Sequence, residues 1–160
     1  MSAKKLLFVC TGNSCRSVMA EAIARELLRQ AGIEGVDVES AGVFAVEGMS
    51  STRETQRVLQ DVGLDATAHR ARTLRPRMLE EADLIFVMER FQAEEVLRLS
   101  ADARKKLHLL RPYGLAAHET AGTPDIPDPI GKPLEVYEVC FAEIRAAVER
   151  VVKSLQVQNA

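Results

Sequence analysis

The sequence predicts an α/β protein with one parallel sheet, because short apolar runs alternate with longer segments of helical periodicity. Two of the runs, residues 6–9 and 84–88, are continuously apolar, which is typical of central strands covered by helices on both faces. The length of 160 residues suits a single domain, which we expect to span residues 1–160. With right-handed crossovers the sheet is four-stranded, has the order 2-1-3-4 and carries helices on both faces.

The first half of the chain is predicted to form two strands and two helices. In order, these are a strand at 6–9, a helix at about 17–30, an edge strand at 36–39 and a helix at 52–62. Ser17 is the candidate N-cap of the first helix, and Gly63 is the expected stop of the second. Residues 40–42 are expected to turn away from the edge strand.

The second half supplies the remaining strands and a long loop. The predicted elements are a loop at 64–76, a strand at 84–88, helical segments at 91–99 and about 100–105, a short strand at 107–110, a loop at 112–133 and a helix at about 134–155. A loop as long as 112–133 in a compact domain is usually functional or disordered. Ligands of such sheets bind at the switch point, here beside the carboxyl end of the first strand.

Composition excludes several classes of function. Hydrophobic residues make up 47% and charged residues 28%, and the net charge of −2 offers no basic field for nucleic acid. The apolar stretch after Lys5 is too brief for a signal peptide or a membrane span, so we expect a cytoplasmic protein with no membrane partner. The three cysteines suit a reducing compartment, and the three scattered histidines predict no metal site.

The strand at residues 6–9 runs into a small polar loop that leads directly into a helix. Such a loop directs its backbone N–H groups and the positive end of the helix at one point, which makes an anion site. Cys10 opens the loop and Arg16 closes it. The residues predicted to bind the anion are Thr11, Gly12, Asn13, Ser14, Cys15, Arg16 and Ser17.

The chemistry of this loop follows from its two ends. Positive dipoles and an arginine stabilise a thiolate, which is the nucleophilic form of cysteine. The guanidinium of Arg16 suits a tetrahedral oxyanion, because it donates two parallel hydrogen bonds to two oxygens. Phosphate or arsenate is therefore the expected ligand. Gly12 can adopt a positive φ and Asn13 tolerates one, so both suit a loop whose amides converge.

The segment CTGNSCRS at residues 10–17, with Asp128-Pro129 late in the chain, closely resembles the low-molecular-weight protein phosphatases. The similarity covers essentially the whole chain, including SAG at residues 40–42 and His69. The resemblance implies the same fold, a phosphorylated protein as substrate, a phosphocysteine intermediate on Cys10 and no cofactor. It also implies a polar network that holds the loop, formed by Asn13, Ser17, Ser40 and His69.

Asp128 is the candidate general acid and base, because a departing group needs a proton and the attacking water must lose one. Asp125 is the rival carboxylate. In the family the acid precedes a proline, and Pro129 would fix the loop so that Asp128 points at the anion site. The predicted catalytic residues are thus Cys10, Arg16 and Asp128.

The substrate class depends on two places where the chain departs from tyrosine-directed relatives. Those members usually carry an aliphatic residue at the position of Ser14 and two aromatic residues after Asp-Pro, where this chain has Ile130 and Gly131. Phe44 and Tyr113 remain as candidate substrate walls. Protein-arginine phosphatases resemble this chain in the short Asp-Pro-x-Gly turn and have a threonine at the position of Ser14. Phosphoarginine and phosphotyrosine are both predicted substrates.

Two other functions and one regulatory feature stay open. Thioredoxin-linked arsenate reductases share the loop CTGNSCRS, but they need further cysteines after the third strand, where this chain reads FVMERFQAEE. A non-catalytic phosphate-binding module would have lost Cys10 or Asp128. Cys15 either forms a disulfide with Cys10 under oxidation or is a packed side chain, and Cys140 is predicted to belong to the core.

Overall fold

The computed structural model describes residues 4–120 and 122–159. Its strands are β1 (Lys4–Cys10), β2 (Val36–Gly42), β3 (Leu84–Val87) and β4 (Leu107–Leu109). Its helices are α1 (Arg16–Gln30), α2 (Arg53–Gln60), α3 (Pro76–Glu81), α4 (Arg90–Leu99) and α5 (Leu134–Asn159). The strands form one parallel sheet in the order β2-β1-β3-β4, which confirms the predicted fold class.

The alternation of side chains along the central strands places a core on each face of the sheet. Leu6 and Phe8 of β1 belong to the core packed under α1 and α5, whose members include Ile23 and Ile144. Leu7 and Val9 point to the opposite face, where Leu79 of α3 and Val96 of α4 cover them. Because both faces of β1 are buried, its carboxyl end is held rigidly where the loop 11–15 begins.

Two predicted boundaries near this loop were wrong. Residues 40–42 do not turn away, because the Gly42 N–H donates to the Arg72 carbonyl and the Gly42 carbonyl accepts from the Leu74 N–H, which keeps β2 extended through Gly42. Ser17 is not an N-cap: α1 begins at Arg16, Cys15 occupies the cap position without a side-chain bond, and Ser17 is buried.

The helix α3 was missed, because the sequence predicts a loop at 64–76 and no element between that loop and the strand at 84–88. Pro76 begins this helix, where its fixed φ and absent N–H are tolerated, and Leu79 is its one buried residue. Six residues with one buried side chain carry too little periodicity to be recognised. The helical segment predicted at about 100–105 is a 3₁₀ helix, Ala101–Lys106, and the long loop contains another, Ala117–Glu119.

None of the helices in the described part of the chain has the length and apolar character needed to cross a membrane.

Candidate active site

The loop between β1 and α1 lies at the switch point of the sheet, where β1 is flanked by β2 on one side and β3 on the other. Its tight curl depends on Asn13, which has a φ of 53° and is the one non-glycine residue with positive φ among residues 4–120 and 122–159. Gly12, the other loop residue expected to suit this conformation, does not adopt it. Asparagine tolerates the left-handed region because its short polar side chain bonds locally.

The Cys10 sulfur has two hydrogen-bond partners. The Asn13 N–H donates to Sγ at 3.2 Å, and the Ser17 hydroxyl, which accepts from the side-chain amide of Asn13 at 2.8 Å, lies 3.0 Å from the same atom. A thiolate has no proton to give, so Ser17 is the donor when Cys10 is in that form. Both donors favour negative charge on Cys10, which the nucleophilic form carries.

Asn13 is the centre of a buried polar network. Its side-chain nitrogen donates to Ser17 and, at 2.9 Å, to the Ser40 hydroxyl, so both amide protons are used. The Asn13 side-chain oxygen accepts from the Arg72 backbone N–H at 2.9 Å, and its backbone carbonyl lies 2.8 Å from Nε2 of His69. The structure thus brings together all four residues that the resemblance implied, namely Asn13, Ser17, Ser40 and His69, and adds the Arg72 amide.

Arg16 is the largest fully buried side chain, with 1% of its surface exposed. One terminal nitrogen contacts Glu89 at 2.9 Å and donates to the Ile126 carbonyl at 2.6 Å. The other faces the Thr11 hydroxyl at 3.4 Å and the Asp128 carboxylate at 3.6 Å. A buried cation is tolerated only when it is paired and hydrogen-bonded, and Glu89 meets that requirement here.

The two candidate carboxylates occupy different surroundings. Asp128 has a partly exposed side chain, bonds the Ile130 N–H through one oxygen and faces Arg16 with the other. Asp125 points away and is held by the backbone and guanidinium of Arg90. Partial burial acts to raise the pKa of the Asp125 carboxyl, but the bonds from Arg90 outweigh it and keep that pKa below the ordinary value. Asp125 is therefore a poor proton donor at neutral pH.

A cleft of about 320 Å³ lies over the loop. It is lined by Thr11, Gly12, Ser14, Cys15, Arg16, Phe44, Val46, Met49, Asp128 and Ile130. Phe44 is 62% exposed and forms one wall of the cleft, as considered from the sequence. Tyr113 does not: its ring packs against Phe86 at 4.9 Å and His108 at 5.0 Å, beside the core.

The other two cysteines lie behind this site. Cys15 is buried, and its sulfur lies 3.6 Å from the hydroxyls of both Thr52 and Tyr137. Cys140 lies in the core, as predicted, and burial raises the pKa of its thiol to about 12. All three cysteines are free in this structure, so Cys15 is a packed side chain here.

Sequence reasoning missed the residues that follow β3. Glu89 pairs with Arg16, and Gln92 reaches the Thr11 hydroxyl at 3.1 Å. Ligands of such sheets bind at the carboxyl ends of the strands that flank the switch point. Because β3 ends at Val87, this rule could have indicated Glu89 and Gln92 as candidate site residues.

Comparison with known proteins gives a consistent result. The family model of low molecular weight phosphotyrosine protein phosphatases matches residues 5–160. A protein-arginine-phosphatase of Geobacillus stearothermophilus is 35% identical over 156 residues, covering 97% of this chain and 98% of that relative. A probable low molecular weight protein-tyrosine-phosphatase, EpsP of Ralstonia solanacearum, is 36% identical over 146 residues, covering 91% and 92%.

A solved structure with a similar fold bears on the role of the cysteine. It is a cysteine-to-serine variant of YwlE arginine phosphatase with a phosphorylated active-site serine. It superposes with a TM-score of 0.86 at 28% identity, covering 95% of each chain. With the family model matching nearly the entire chain, this protein belongs to the low molecular weight phosphotyrosine protein phosphatase family.

Proposed function

We propose that this protein is a cysteine-dependent protein phosphatase that removes phosphoryl groups from arginine or tyrosine side chains through a phosphocysteine intermediate on Cys10. The observation that carries the proposal is that one short loop beneath the cleft holds both a buried sulfur with two hydrogen-bond partners and a buried, paired guanidinium. Arg16 lines the cleft, and Cys10 lies behind its lining. We further propose that residues 1–160 make up one catalytic domain.

The chemistry divides between three side chains. The Cys10 thiolate attacks phosphorus and forms an S–P bond, while the P–N bond of phosphoarginine or the P–O bond of phosphotyrosine breaks. Arg16 and the amides of residues 11–17 bind the phosphoryl oxygens, and Asp128 gives its proton to the leaving nitrogen or oxygen. Water then attacks phosphorus and passes a proton to Asp128, the S–P bond breaks, and inorganic phosphate leaves.

Asp128 is the proposed acid because it combines partial exposure with a position 3.6 Å from Arg16 at the cleft. The rival Asp125 is occupied by Arg90 and stays ionised. The YwlE variant supports the covalent step, because in that cysteine-to-serine protein an active-site serine carries the phosphoryl group.

Phosphoarginine is the favoured substrate of the two. Ser14 lines the cleft, and among residues 4–120 and 122–159 the one hydrogen-bond partner of its hydroxyl is the Cys15 sulfur, at 3.8 Å. It is free to accept a bond from a guanidinium N–H. The turn after Asp128 contributes Ile130 in place of an aromatic residue, so one wall of a ring-binding slot is aliphatic.

Phosphotyrosine remains the second candidate because of Phe44, whose exposed ring forms the opposite wall. The overall similarity does not separate the two, since identity is 35% to an arginine phosphatase and 36% to a probable tyrosine phosphatase. Arsenate reduction is not favoured: the segment after β3 has no cysteine to complete a disulfide relay.

The apolar rim of the cleft supports a polypeptide as the substrate. Phe44, Val46, Met49 and Ile130 are each more than half exposed, and all four line this cleft. We propose phosphorylated proteins as partners and inorganic phosphate or arsenate as anion ligands, with neither nucleic acid nor a membrane surface among them. We also propose a cytoplasmic location, because an odd number of cysteines with a nucleophile among them suits a reducing compartment.

The decisive experiment compares peptides of one sequence that carry either phosphoarginine or phosphotyrosine. The purified protein should release phosphate from both, with the higher kcat/KM for phosphoarginine. Cys10→Ser should lose turnover, and intact-mass measurement should show it either unmodified or carrying one phosphoryl group. Turnover near the wild-type rate in Cys10→Ser would exclude the covalent mechanism.

A further inference from the structure

The Gln92 side chain is fully buried, although glutamine is a polar residue that is usually exposed. Its oxygen accepts from two backbone N–H groups at the end of β3, those of Met88 at 2.8 Å and Glu89 at 3.0 Å. Since both partners are donors, the atom that meets them is the oxygen, and the amide nitrogen must lie on the opposite side. That nitrogen points at the loop of residues 11–15.

The Gln92 nitrogen donates to the Thr11 hydroxyl oxygen at 3.1 Å, and Arg16 donates to the same oxygen at 3.4 Å. A hydroxyl oxygen has two acceptor positions and one proton. Both acceptor positions of Thr11 are occupied, so its proton takes the remaining direction. Among residues 4–120 and 122–159 it has no acceptor, and Thr11 lines the cleft.

We propose that Gln92 is a positioning residue that turns the Thr11 hydroxyl into an additional donor for the phosphoryl group. The inference rests on the proposed function and goes beyond it, because it assigns a side-chain contact to Thr11 and a role to a residue outside the loop. Gln92 holds the hydroxyl oxygen from behind, and the proton faces the oxyanion. The bond then stabilises the charged ligand and does not depend on the leaving group.

The substitution Gln92→Glu reverses the polarity of this contact with little change of shape. A carboxylate still accepts from the Met88 and Glu89 N–H groups, but its second oxygen has no proton to donate. The Thr11 hydroxyl would then donate to that carboxylate and be lost to the ligand. Thr11→Val removes the hydroxyl at nearly constant volume, and Thr11→Ser retains it.

The test measures the dissociation constant of inorganic phosphate by calorimetry, together with kcat and KM for a phosphorylated peptide. Thr11→Val should weaken phosphate binding about 10-fold or more, which is the scale of one hydrogen bond to a charged acceptor. Gln92→Glu should match it, Thr11→Ser should stay near wild type, and the control Gln60→Glu makes the same change of charge on an exposed residue. The double variant Thr11→Val/Gln92→Glu should be no worse than Thr11→Val.

Several results would overturn the inference. Phosphate binding that is unchanged in Thr11→Val would exclude the hydroxyl as a donor, whatever Gln92→Glu does. Additive losses in the double variant would show that Gln92 acts through something other than Thr11. A wild-type protein that binds phosphate but hydrolyses neither peptide would instead refute the proposed function. If Gln92→Glu fails to fold, the Thr11 pair still tests the hydroxyl as a donor, and Gln92→Met, which removes the amide nitrogen at similar size, replaces Gln92→Glu in the single and double variants.

Discussion

The Ser17 hydroxyl lies 3.0 Å from the Cys10 sulfur, and its oxygen accepts from the side-chain amide of Asn13 at 2.8 Å. A thiolate has no proton, so Ser17 is the donor of this bond whenever Cys10 is in its nucleophilic form. Sulfur is a better acceptor as a thiolate than as a thiol, so the bond is strongest in the free nucleophile. In the proposed mechanism, the same bond would stabilise the thiolate again when the phosphoenzyme is hydrolysed.

Ser17→Ala is therefore expected to lower kcat by about 10- to 100-fold, the scale of one hydrogen bond to a charged group. Alkylation of Cys10 by iodoacetamide at neutral pH should slow as well, because the anionic sulfur that attacks the reagent loses a hydrogen-bond donor. The unfolding midpoint should fall too, because one buried amide proton of Asn13 loses its acceptor, so the kinetics are compared at a temperature where both proteins are folded. Unchanged alkylation and unchanged kcat would show that Ser17 has no influence on the sulfur.

Arg16→Lys should reduce kcat/KM by about 10²-fold or more, the usual cost of losing a donor to a developing oxyanion. The planar guanidinium contacts Glu89 and the Ile126 carbonyl and has N–H groups left for two phosphoryl oxygens, whereas an ammonium cannot make all of these contacts together. The matched control is Arg29→Lys on the exposed face of the same helix. An equal kcat/KM in both variants would show that the guanidinium of Arg16 does not bind the phosphoryl group.

Asp128→Ala should slow substrates with poor leaving groups by about 10²–10⁴-fold, while activated aryl phosphates are affected far less. Asp125→Ala is the comparison: its carboxylate is bound to Arg90 and ionised, so its loss should not create a dependence on the leaving group. The measurement is kcat/KM against a series of aryl phosphates of decreasing leaving-group acidity. The opposite pattern in the two variants would reassign the acid to Asp125.

Gly42→Ala should destabilise the fold by about 1–3 kcal/mol, the range for overpacking a tight site. An added Cβ would lie 2.6 Å from the Thr11 carbonyl oxygen and 2.9 Å from the Asn13 nitrogen, both backbone atoms of the anion loop. At Gly12 the nearest atom to a Cβ is the Ser14 hydroxyl at an ordinary 3.4 Å, so Gly12→Ala is the matched control. Thermal unfolding of both variants makes the comparison, and equal midpoints would contradict the predicted clash.

The order of the sheet and the position of the anion loop were predictable because they depend on strong local signals. Continuous apolar runs identify β1 and β3, and the switch point follows from the right-handed crossovers. The loop was visible as Cys10 and Arg16 between a strand and a helix. These features depend on residues close together in the chain, where periodicity and composition are informative.

The rest of the site depends on contacts between distant residues. Glu89 contacts Arg16 from 73 positions away, and the Arg72 amide reaches Asn13 across 59. A backbone N–H such as that of Arg72 has no distinctive sequence pattern, so only the fold reveals this contact. Ser17 shows how a distant contact can override a local signal. A serine at the start of a helix predicts an N-cap, but the Ser17 hydroxyl is buried beside Cys10 and contacts its sulfur.

The choice of substrate rests on Ser14, which is half-buried in the cleft with a hydroxyl free to accept a bond. Ser14→Ile would fill the space beside the bound group and leave the N–H groups of a phosphoarginine unpaired. A site that bonds its substrate discriminates strongly once the partner is removed, because buried polar groups are then unsatisfied. Ser14→Ile should therefore depress kcat/KM for phosphoarginine and spare or raise it for phosphotyrosine, while Ser14→Thr keeps the phosphoarginine preference.

Both substrates are measured in all three proteins, which separates specificity from general damage to the loop. A wild-type preference for phosphotyrosine that Ser14→Ile leaves unmoved would instead make the exposed ring of Phe44 the main determinant of the substrate.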